Sequence, residues 1–114
     1  MNSITTHVLD TSLGRPARGI PVTLEAQDAQ GHWLLVGHGA TDADGRLKTL
    51  MPPETELAEG VYRLTFDTRG YFAATQVEGF YPQVSVVFQV RDASQHYHVP
   101  LLLNPYGYST YRGS

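Results

Sequence analysis

The sequence has no cysteine among its 114 residues, so it can form neither a disulfide nor a thiolate metal site, and it has no cysteine nucleophile. It also lacks any apolar run near the roughly 20 residues that a membrane-spanning helix needs. Positive charge is scarce, with 8 Lys and Arg against 11 Asp and Glu and a net charge of −3. Because a nucleic-acid-binding face must neutralise phosphates, this balance argues against general nucleic-acid binding.

The first residues also lack the features of a secretory signal. Residues 1–7 read MNSITTH and contain neither a basic region nor an apolar stretch. We therefore expect a cytoplasmic protein with no membrane segment. The length predicts one domain over residues 1–114, and no internal repeat or change in composition divides it.

The residues that are present favour β-structure. Seven Tyr and four Phe accompany many Val and Thr, while 11 Gly and 7 Pro are scattered between short alternating segments. This alternation predicts strands at residues 4–9, 22–26, 33–41, 60–67, 84–90, 96–103 and 106–111. One helix is predicted at residues 68–77, with Thr68 as its cap. We expect loops at 14–19 and 47–59, a tight turn at 42–45, and an all-β, two-sheet sandwich overall.

Histidines are the candidates for chemistry, because a neutral imidazole can act as a general base near pH 7. His96 and His98 lie on one side of a predicted strand, since side chains repeat every second residue. His7 lies on another strand, and Arg46 follows the turn at 42–45. A strand histidine is more often a hydrogen-bonded or exposed residue than a catalyst. The residues alone therefore identify a histidine pair but do not assign it a function.

Three blocks of sequence add a resemblance to a known family. Residues 6–10 (THVLD), with 14–17 (GRPA), and residues 41–46 (TDADGR) resemble two motifs of the transthyretin superfamily. Residues 96–114 (HYHVPLLLNPYGYSTYRGS) are similar to the C-terminal part of the 5-hydroxyisourate hydrolases within that superfamily. The final Tyr-Arg-Gly-Ser is the signature of those hydrolases. The chain is thus identified as resembling this family over its whole length.

The resemblance implies a transthyretin-like sandwich of seven to eight strands with one short helix. It also implies hydrolysis of 5-hydroxyisourate to 2-oxo-4-hydroxy-4-carboxy-5-ureidoimidazoline in urate degradation, without a metal or cofactor. The family is homotetrameric, as a dimer of dimers with its active sites between the dimers. We therefore expect a small-molecule substrate and a homotetramer.

The resemblance implies a site at His7, Arg46, His98 and residues 111–114, and we assign a role to each position as a hypothesis. His98 is the favoured general base, and His7 orients the water or shares its proton. Arg46 binds a substrate oxygen and stabilises developing negative charge, as a guanidinium with paired donors is suited to do. The spacing of the residues does not establish which histidine takes the proton.

The C-terminal residues complete the expected site. Tyr111 and Arg112 are expected to line the substrate ring. Ser114 is expected to supply a catalytic hydroxyl and the terminal carboxylate, which could hold an imidazole or guanidinium in place. His96 shares the site or supports it.

Two alternatives remain at this point. The first is a transthyretin-like carrier that binds a small molecule without a reaction. The second is a zinc hydrolase, because a His-x-His pair and one distant histidine could form a three-histidine site with an open water position. A carrier needs neither the strand histidines nor the Tyr-Arg-Gly-Ser ending, and Arg46 would lie unfavourably beside a dication.

Overall fold

A computed structural model describes residues 3–114 and consists of two packed β-sheets with one short helix. In chain order the elements are β1 (Ile4–Asp10), β2 (Arg15–Pro16), β3 (Pro21–Gln27), β4 (Trp33–Ala40), β5 (Arg46–Leu47), β6 (Gly60–Phe66), α1 (Thr68–Ala74), β7 (Val84–Val90), β8 (Tyr97–Asn104) and β9 (Gly107–Thr110). Sheet A has the order β2-β1-β8-β9, with β5 also paired to β1, and sheet B has the order β4-β3-β6-β7. The predicted all-β, two-sheet sandwich with one short helix is confirmed.

The core lies between the two sheets and follows the alternation of the strands. On β1, Ile4 and Val8 are fully buried, whereas His7 on the opposite parity is only half-buried. In sheet B, strand β6 contributes to this core Leu64 and the side chains two residues before and after it. Because the period is two, every second residue of these strands is left for the outer face of its sheet. The fully buried large side chains include Ile4, Val8, Val22, Leu24, Leu64, Phe66, Leu101 and Leu103.

Strand β1 is covered on both sides by segments distant in sequence. Along one edge it pairs in parallel with β8, from Ile4 opposite Tyr97 to Asp10 opposite Leu103. Its other edge pairs first with β5 and then with β2. The two-residue strand β2 and Leu47 of β5 fall in segments predicted as loops, and that prediction was wrong for those residues. Two residues are too few to show an alternation of apolar and polar side chains. These segments are strands only because they pair with the edge of β1.

The seven predicted strands are all present, and none of their ends differs by more than one residue from the prediction. The helix is shorter than the predicted 68–77, and its N-cap is Asp67 rather than Thr68. Thr68 is instead buried in the first turn, where its hydroxyl donates to the carbonyl oxygen of Tyr81. The helix ends before Gln76, whose φ of +59° is left-handed and cannot continue it. Among residues 3–114, no helix is long and apolar enough to cross a membrane.

Candidate active site

The outer face of sheet A gathers the histidine and arginine candidates. Thr5 on β1 lies opposite His98 on β8, and His7 on β1 lies opposite Arg46 on β5. These side chains share the parity that points away from the core, because their neighbours Ile4 and Val8 are the buried residues of β1. Three segments that are far apart in sequence therefore place their functional groups on adjacent strands.

An open cavity of about 390 Å³ lies over this part of the sheet. It is lined by Ser3, Thr5, Thr6, Arg46, Lys48, His96, His98 and Ser114. The His7 ring lies beside His98, with 6.4 Å between ring centroids and 23° between ring planes. The cavity thus combines imidazoles, a guanidinium, an ammonium and hydroxyls. That set suits a small ligand rich in carbonyl oxygens.

His98 on β8 and His96, which directly precedes that strand, are linked through the hydroxyl of Thr5. Thr5 Oγ1 lies 2.8 Å from Nδ1 of His98 and 3.0 Å from Nε2 of His96. His96 is exposed, and Ser3 Oγ lies 3.4 Å from its Nδ1. The other nitrogen of His98, Nε2, forms no hydrogen bond with any group in residues 3–114, so it is free to meet a ligand or a water molecule.

The electrostatic environment keeps the two central histidines neutral. Burial lowers the pKa of His98 below 6.5, and the charges of His7, Arg46 and His96 lower it further. Burial and the Arg46 guanidinium also lower the pKa of His7, against an opposing effect of Asp42 and Asp44. A neutral imidazole carries a nitrogen lone pair, so either ring can accept a proton at neutral pH.

The turn at residues 42–45 positions Arg46. The Asp42 carboxylate accepts hydrogen bonds from the backbone N–H groups of Asp44 and Arg46, at 2.9 Å each. Gly45 has a φ of +74°, and a Cβ there would lie 2.4 Å from the carbonyl oxygen of Val8. Glycine is therefore required both by the backbone conformation and by the close approach to β1. The turn fixes Arg46 in register with His7.

The C-terminal segment reaches the same cavity through one bridge. The Gly113 N–H donates to the carbonyl oxygen of His98 at 2.8 Å, and the two residues form an isolated β-bridge. This contact carries Ser114 to the cavity. A Cβ on Gly113 would lie only 2.7 Å from Cδ2 of His98, so the tail lies directly against the imidazole.

Tyr111 and Arg112 do not line the histidine cavity of their own chain, although an Arg112 nitrogen lies 3.5 Å from the carbonyl oxygen of His96. They line a second cavity, of about 350 Å³, beside β7 and the inner side of β8. The Arg112 guanidinium donates to Gln95 Oε1 at 2.7 Å and lies 4.3 Å from the centre of the Tyr97 ring. The structure thus brings together five predicted residues, His7, Arg46, His96, His98 and Ser114, and leaves these two apart.

Four lining residues were missing from the sequence-based site: Ser3, Thr5, Thr6 and Lys48. A signal existed for two of them. Thr5 has the same strand parity as His7, and Lys48 lies two residues after Arg46. Neither signal identifies the hydrogen bonds of Thr5, because these depend on the pairing of β1 with β8.

Comparison with known proteins defines the family. The model of the HIUase/Transthyretin family matches residues 4–113. The chain belongs to this family. The 5-hydroxyisourate hydrolase of Salmonella dublin is 46% identical over 113 residues, which cover 99% of this chain and 82% of that protein. The resemblance inferred from the sequence motifs is confirmed.

Solved structures of the family have the same architecture. Klebsiella pneumoniae 5-hydroxyisourate hydrolase superimposes with a TM-score of 0.85 at 34% identity, covering 100% of both chains. Sea bream transthyretin, solved in complex with thyroxine, gives a TM-score of 0.89 at 32% identity and covers 96% of this chain and 93% of that one. Since hydrolases and a thyroxine-binding protein share this fold, the side chains of the site decide the function.

Proposed function

We propose that the protein hydrolyses 5-hydroxyisourate to 2-oxo-4-hydroxy-4-carboxy-5-ureidoimidazoline in urate degradation. The observation that best supports this function is that Arg46 and His98 line one cavity on the outer face of sheet A, with the His7 ring beside His98 and opposite Arg46. Opening a cyclic amide requires a base for water and a positive group for the developing oxyanion. The neutral imidazoles can serve as the base, and the guanidinium is the positive group.

The proposed reaction uses His98 as the base. Its free Nε2 takes a proton from water while the water oxygen bonds to the ring carbonyl carbon of the substrate. Arg46 holds the carbonyl oxygen as negative charge develops on it. The C–N bond then breaks, and the proton on His98 passes to the departing nitrogen. His7, stacked beside His98, orients the water or shares the proton.

We assign Ser114 to the site as a hydroxyl donor, in keeping with its place in the cavity lining. Tyr111 and Arg112 are proposed to contact substrate in the cavity of a neighbouring copy, because they do not line the cavity of their own chain. Tyr111 is 57% exposed, so its ring is available for such a contact.

The proposed assembly is a homotetramer. Strands β7 and β9 are the outermost strands at one end of sheets B and A, and each has a backbone edge with no strand partner in residues 3–114. Apolar side chains are exposed near these strands, including Phe80, Val87, Tyr106, Tyr108 and Tyr111. Edge strands and apolar surface of this kind are commonly covered by another subunit. Size-exclusion chromatography with light scattering should give about 50 kDa, four times the 12.6 kDa chain.

The other two functions fit less well. A carrier of the kind illustrated by sea bream transthyretin would use the fold without needing the proton-accepting groups. A zinc hydrolase would need the histidine nitrogens as ligands, but two of them are hydrogen-bonded to Thr5. Within residues 3–114, no group of three or more His, Asp or Glu side chains is arranged to hold a metal ion.

The direct test is the ultraviolet absorbance of freshly generated 5-hydroxyisourate with and without the protein. We expect a large acceleration of its loss over spontaneous decay, retained after extended treatment with a strong chelator. A decay unchanged by the protein would reject the hydrolase function, and loss on chelation with recovery on adding zinc would favour the zinc hydrolase. The cytoplasmic location remains a prediction, which fractionation of the source cells would test.

A further inference from the structure

The Thr5 hydroxyl is the hydrogen-bonding group that joins His98 to His96. Thr5 is only 8% exposed, so water does not readily replace its contacts. Its Oγ1 is within hydrogen-bonding distance of both imidazoles, at 2.8 Å from His98 Nδ1 and 3.0 Å from His96 Nε2. Both distances are typical of good hydrogen bonds.

Two states keep the Thr5 hydroxyl proton between the two imidazoles. A hydroxyl has one hydrogen, so in these states Thr5 donates to one imidazole and accepts from the other. In the first state it donates to His98, and the proton of neutral His98 must then lie on Nε2, facing the cavity. In the second state His98 Nδ1 donates to Thr5, and Thr5 donates to His96. Only the second state leaves a lone pair on His98 Nε2.

The charges around His98 favour the second state. The Arg46 guanidinium on β5 lines the same cavity, and its charge acts on both His98 and His7. A positive charge in the cavity attracts a lone pair on Nε2 and repels an N–H there. His96 is exposed, so its own Nδ1 can keep a proton toward solvent or Ser3 while its Nε2 accepts from Thr5.

We infer that Thr5 is a positioning residue that holds the proton of His98 on Nδ1, with His96 as the acceptor at the far end, and thereby keeps Nε2 as the proton acceptor in the cavity. This inference rests on the proposed function for its catalytic consequence. When Nε2 takes the proton of water, the Nδ1–H bond to Thr5 is retained, so the ring does not turn. Thr5 thus does for His98 what a buried carboxylate does for the histidine of a catalytic triad, without adding a charge.

The test compares Thr5→Val with Thr5→Ser. Valine removes the hydroxyl at nearly constant shape, whereas serine keeps it. We expect Thr5→Val to lower kcat about 10- to 100-fold with KM changed less than about threefold, and Thr5→Ser to recover within about threefold of the original kcat. Thr65→Val is the matched control. It also removes a threonine hydroxyl from a strand, but Thr65 and its hydrogen-bond partner Ser85 both lie in sheet B, away from the cavity on sheet A. It should leave kcat unchanged.

A second measurement does not depend on activity. Nitrogen-15 NMR of histidine-labelled protein without substrate reports which ring nitrogen carries the proton, and the His98→Asn spectrum assigns the His98 signals. The original protein should show His98 protonated on Nδ1, and Thr5→Val should shift the proton toward Nε2. The spectra are recorded above pH 7.5, where the lowered pKa values leave His7 and His98 neutral while Arg46 and Lys48 at the cavity remain charged.

The two measurements separate the inference from the function. An original protein with its His98 proton on Nε2, or a Thr5→Val protein with the original kcat and tautomer, would overturn the role of Thr5. An inactive protein whose His98 is protonated on Nδ1 would instead reject the hydrolase function and keep the positioning role. If Thr5→Val does not fold, the tautomer of the original protein decides.

Discussion

Strand β1 carries a polar cluster near each end, and the two clusters differ in how completely their hydrogen-bonding groups are used. Near the C-terminal end, the Asp10 carboxylate is 2% exposed and accepts four hydrogen bonds. They come from the N–H and hydroxyl of Ser12, the N–H of Leu13 and the hydroxyl of Tyr71, at 2.6 to 3.1 Å. This cluster joins β1 to helix α1 and leaves no oxygen of the carboxylate unpaired.

The cluster near the N-terminal end is only partly satisfied. Thr5 hydrogen-bonds with two imidazoles, but His98 Nε2, the His7 ring and the Arg46 guanidinium have no hydrogen-bond partner in residues 3–114. A filled set of hydrogen bonds fixes the structure and leaves nothing for a ligand, whereas a partly filled set in a cavity leaves groups for one. The two ends of one strand thus differ in role because their neighbours differ.

The largest expected effect is at the open cluster. His98→Asn should lower kcat by about 10²- to 10⁴-fold while the fold and assembly persist, because it removes the proposed base but keeps a polar side chain. Initial rates on 5-hydroxyisourate measure it. His32→Asn is the matched control, since that histidine is on the surface of the β3–β4 turn, and it should keep full activity. Near-normal turnover by a correctly assembled His98→Asn protein would remove His98 from the role of base.

At the filled cluster the expected loss is in stability. Asp10→Ala should lower the free energy of unfolding by about 2–4 kcal/mol, because it removes the acceptor of four hydrogen bonds. Tyr71→Phe, which removes one of the four, should cost about 1–2 kcal/mol. Urea denaturation at fixed protein concentration measures both, and the folded fraction should keep its activity within a few fold. A stable but inactive Asp10→Ala protein would contradict the assignment of stability to the Asp10 cluster and of activity to the cluster around His98.

The filled cluster also has a pH signature. Burial alone would raise the pKa of Asp10, but hydrogen bonds from Tyr71, Ser12 and Leu13 hold it below its ordinary value. The stability that Asp10 contributes is therefore present above its unfolded pKa of about 3.9 and is lost as pH falls through the lower folded pKa. The free energy of unfolding of Asp10→Ala should therefore lack the acid-dependent loss that Asp10 causes in the original protein.

A smaller effect is expected where the tail touches the open cluster. Gly113→Ala places a Cβ 2.7 Å from His98 Cδ2, so either the ring or the tail must move. We expect kcat/KM to fall about tenfold, since catalytic groups tolerate displacements of only about 0.5 Å. Gly70→Ala in α1 is the control, because no atom lies within 4 Å of its added Cβ. It should leave activity unchanged, and equal activity of both variants would show that the tail does not hold His98.

The smallest expected effect is the pH dependence of the reaction. Because the pKa values of His98 and His7 are lowered, these rings stay neutral to a pH below 6.5. For a single base, kcat/KM should be constant from pH 8 to 7 and fall at most about tenfold by pH 5.5. Rates corrected for spontaneous decay measure this. A rate that begins to fall well above pH 7 would contradict a neutral imidazole base with a lowered pKa.

The regular strands and much of the site could be predicted from the sequence, but the irregular elements could not. Alternating apolar residues mark β7 and β6, because one face of each strand is buried against the core. The strands β2 and β5 carry no such pattern. The N-cap at Asp67 was also missed, because the Thr68 hydroxyl is used by the carbonyl of Tyr81, a contact between segments that local propensity does not describe.

The sequence by itself determined the fold class, the family and the kinds of group available for chemistry. Periodicity, the turn at Asp42 and the three sequence blocks are local properties that a linear chain displays directly. Only the tertiary structure decided that Thr5 joins His96 to His98, that Gly113 lies against His98, and that Tyr111 and Arg112 face another cavity. The first fact follows from the parallel pairing of β1 with β8, because pairing of segments more than 90 residues apart depends on the whole folded chain. The second is the bridge by which the C-terminal segment returns to His98 on β8.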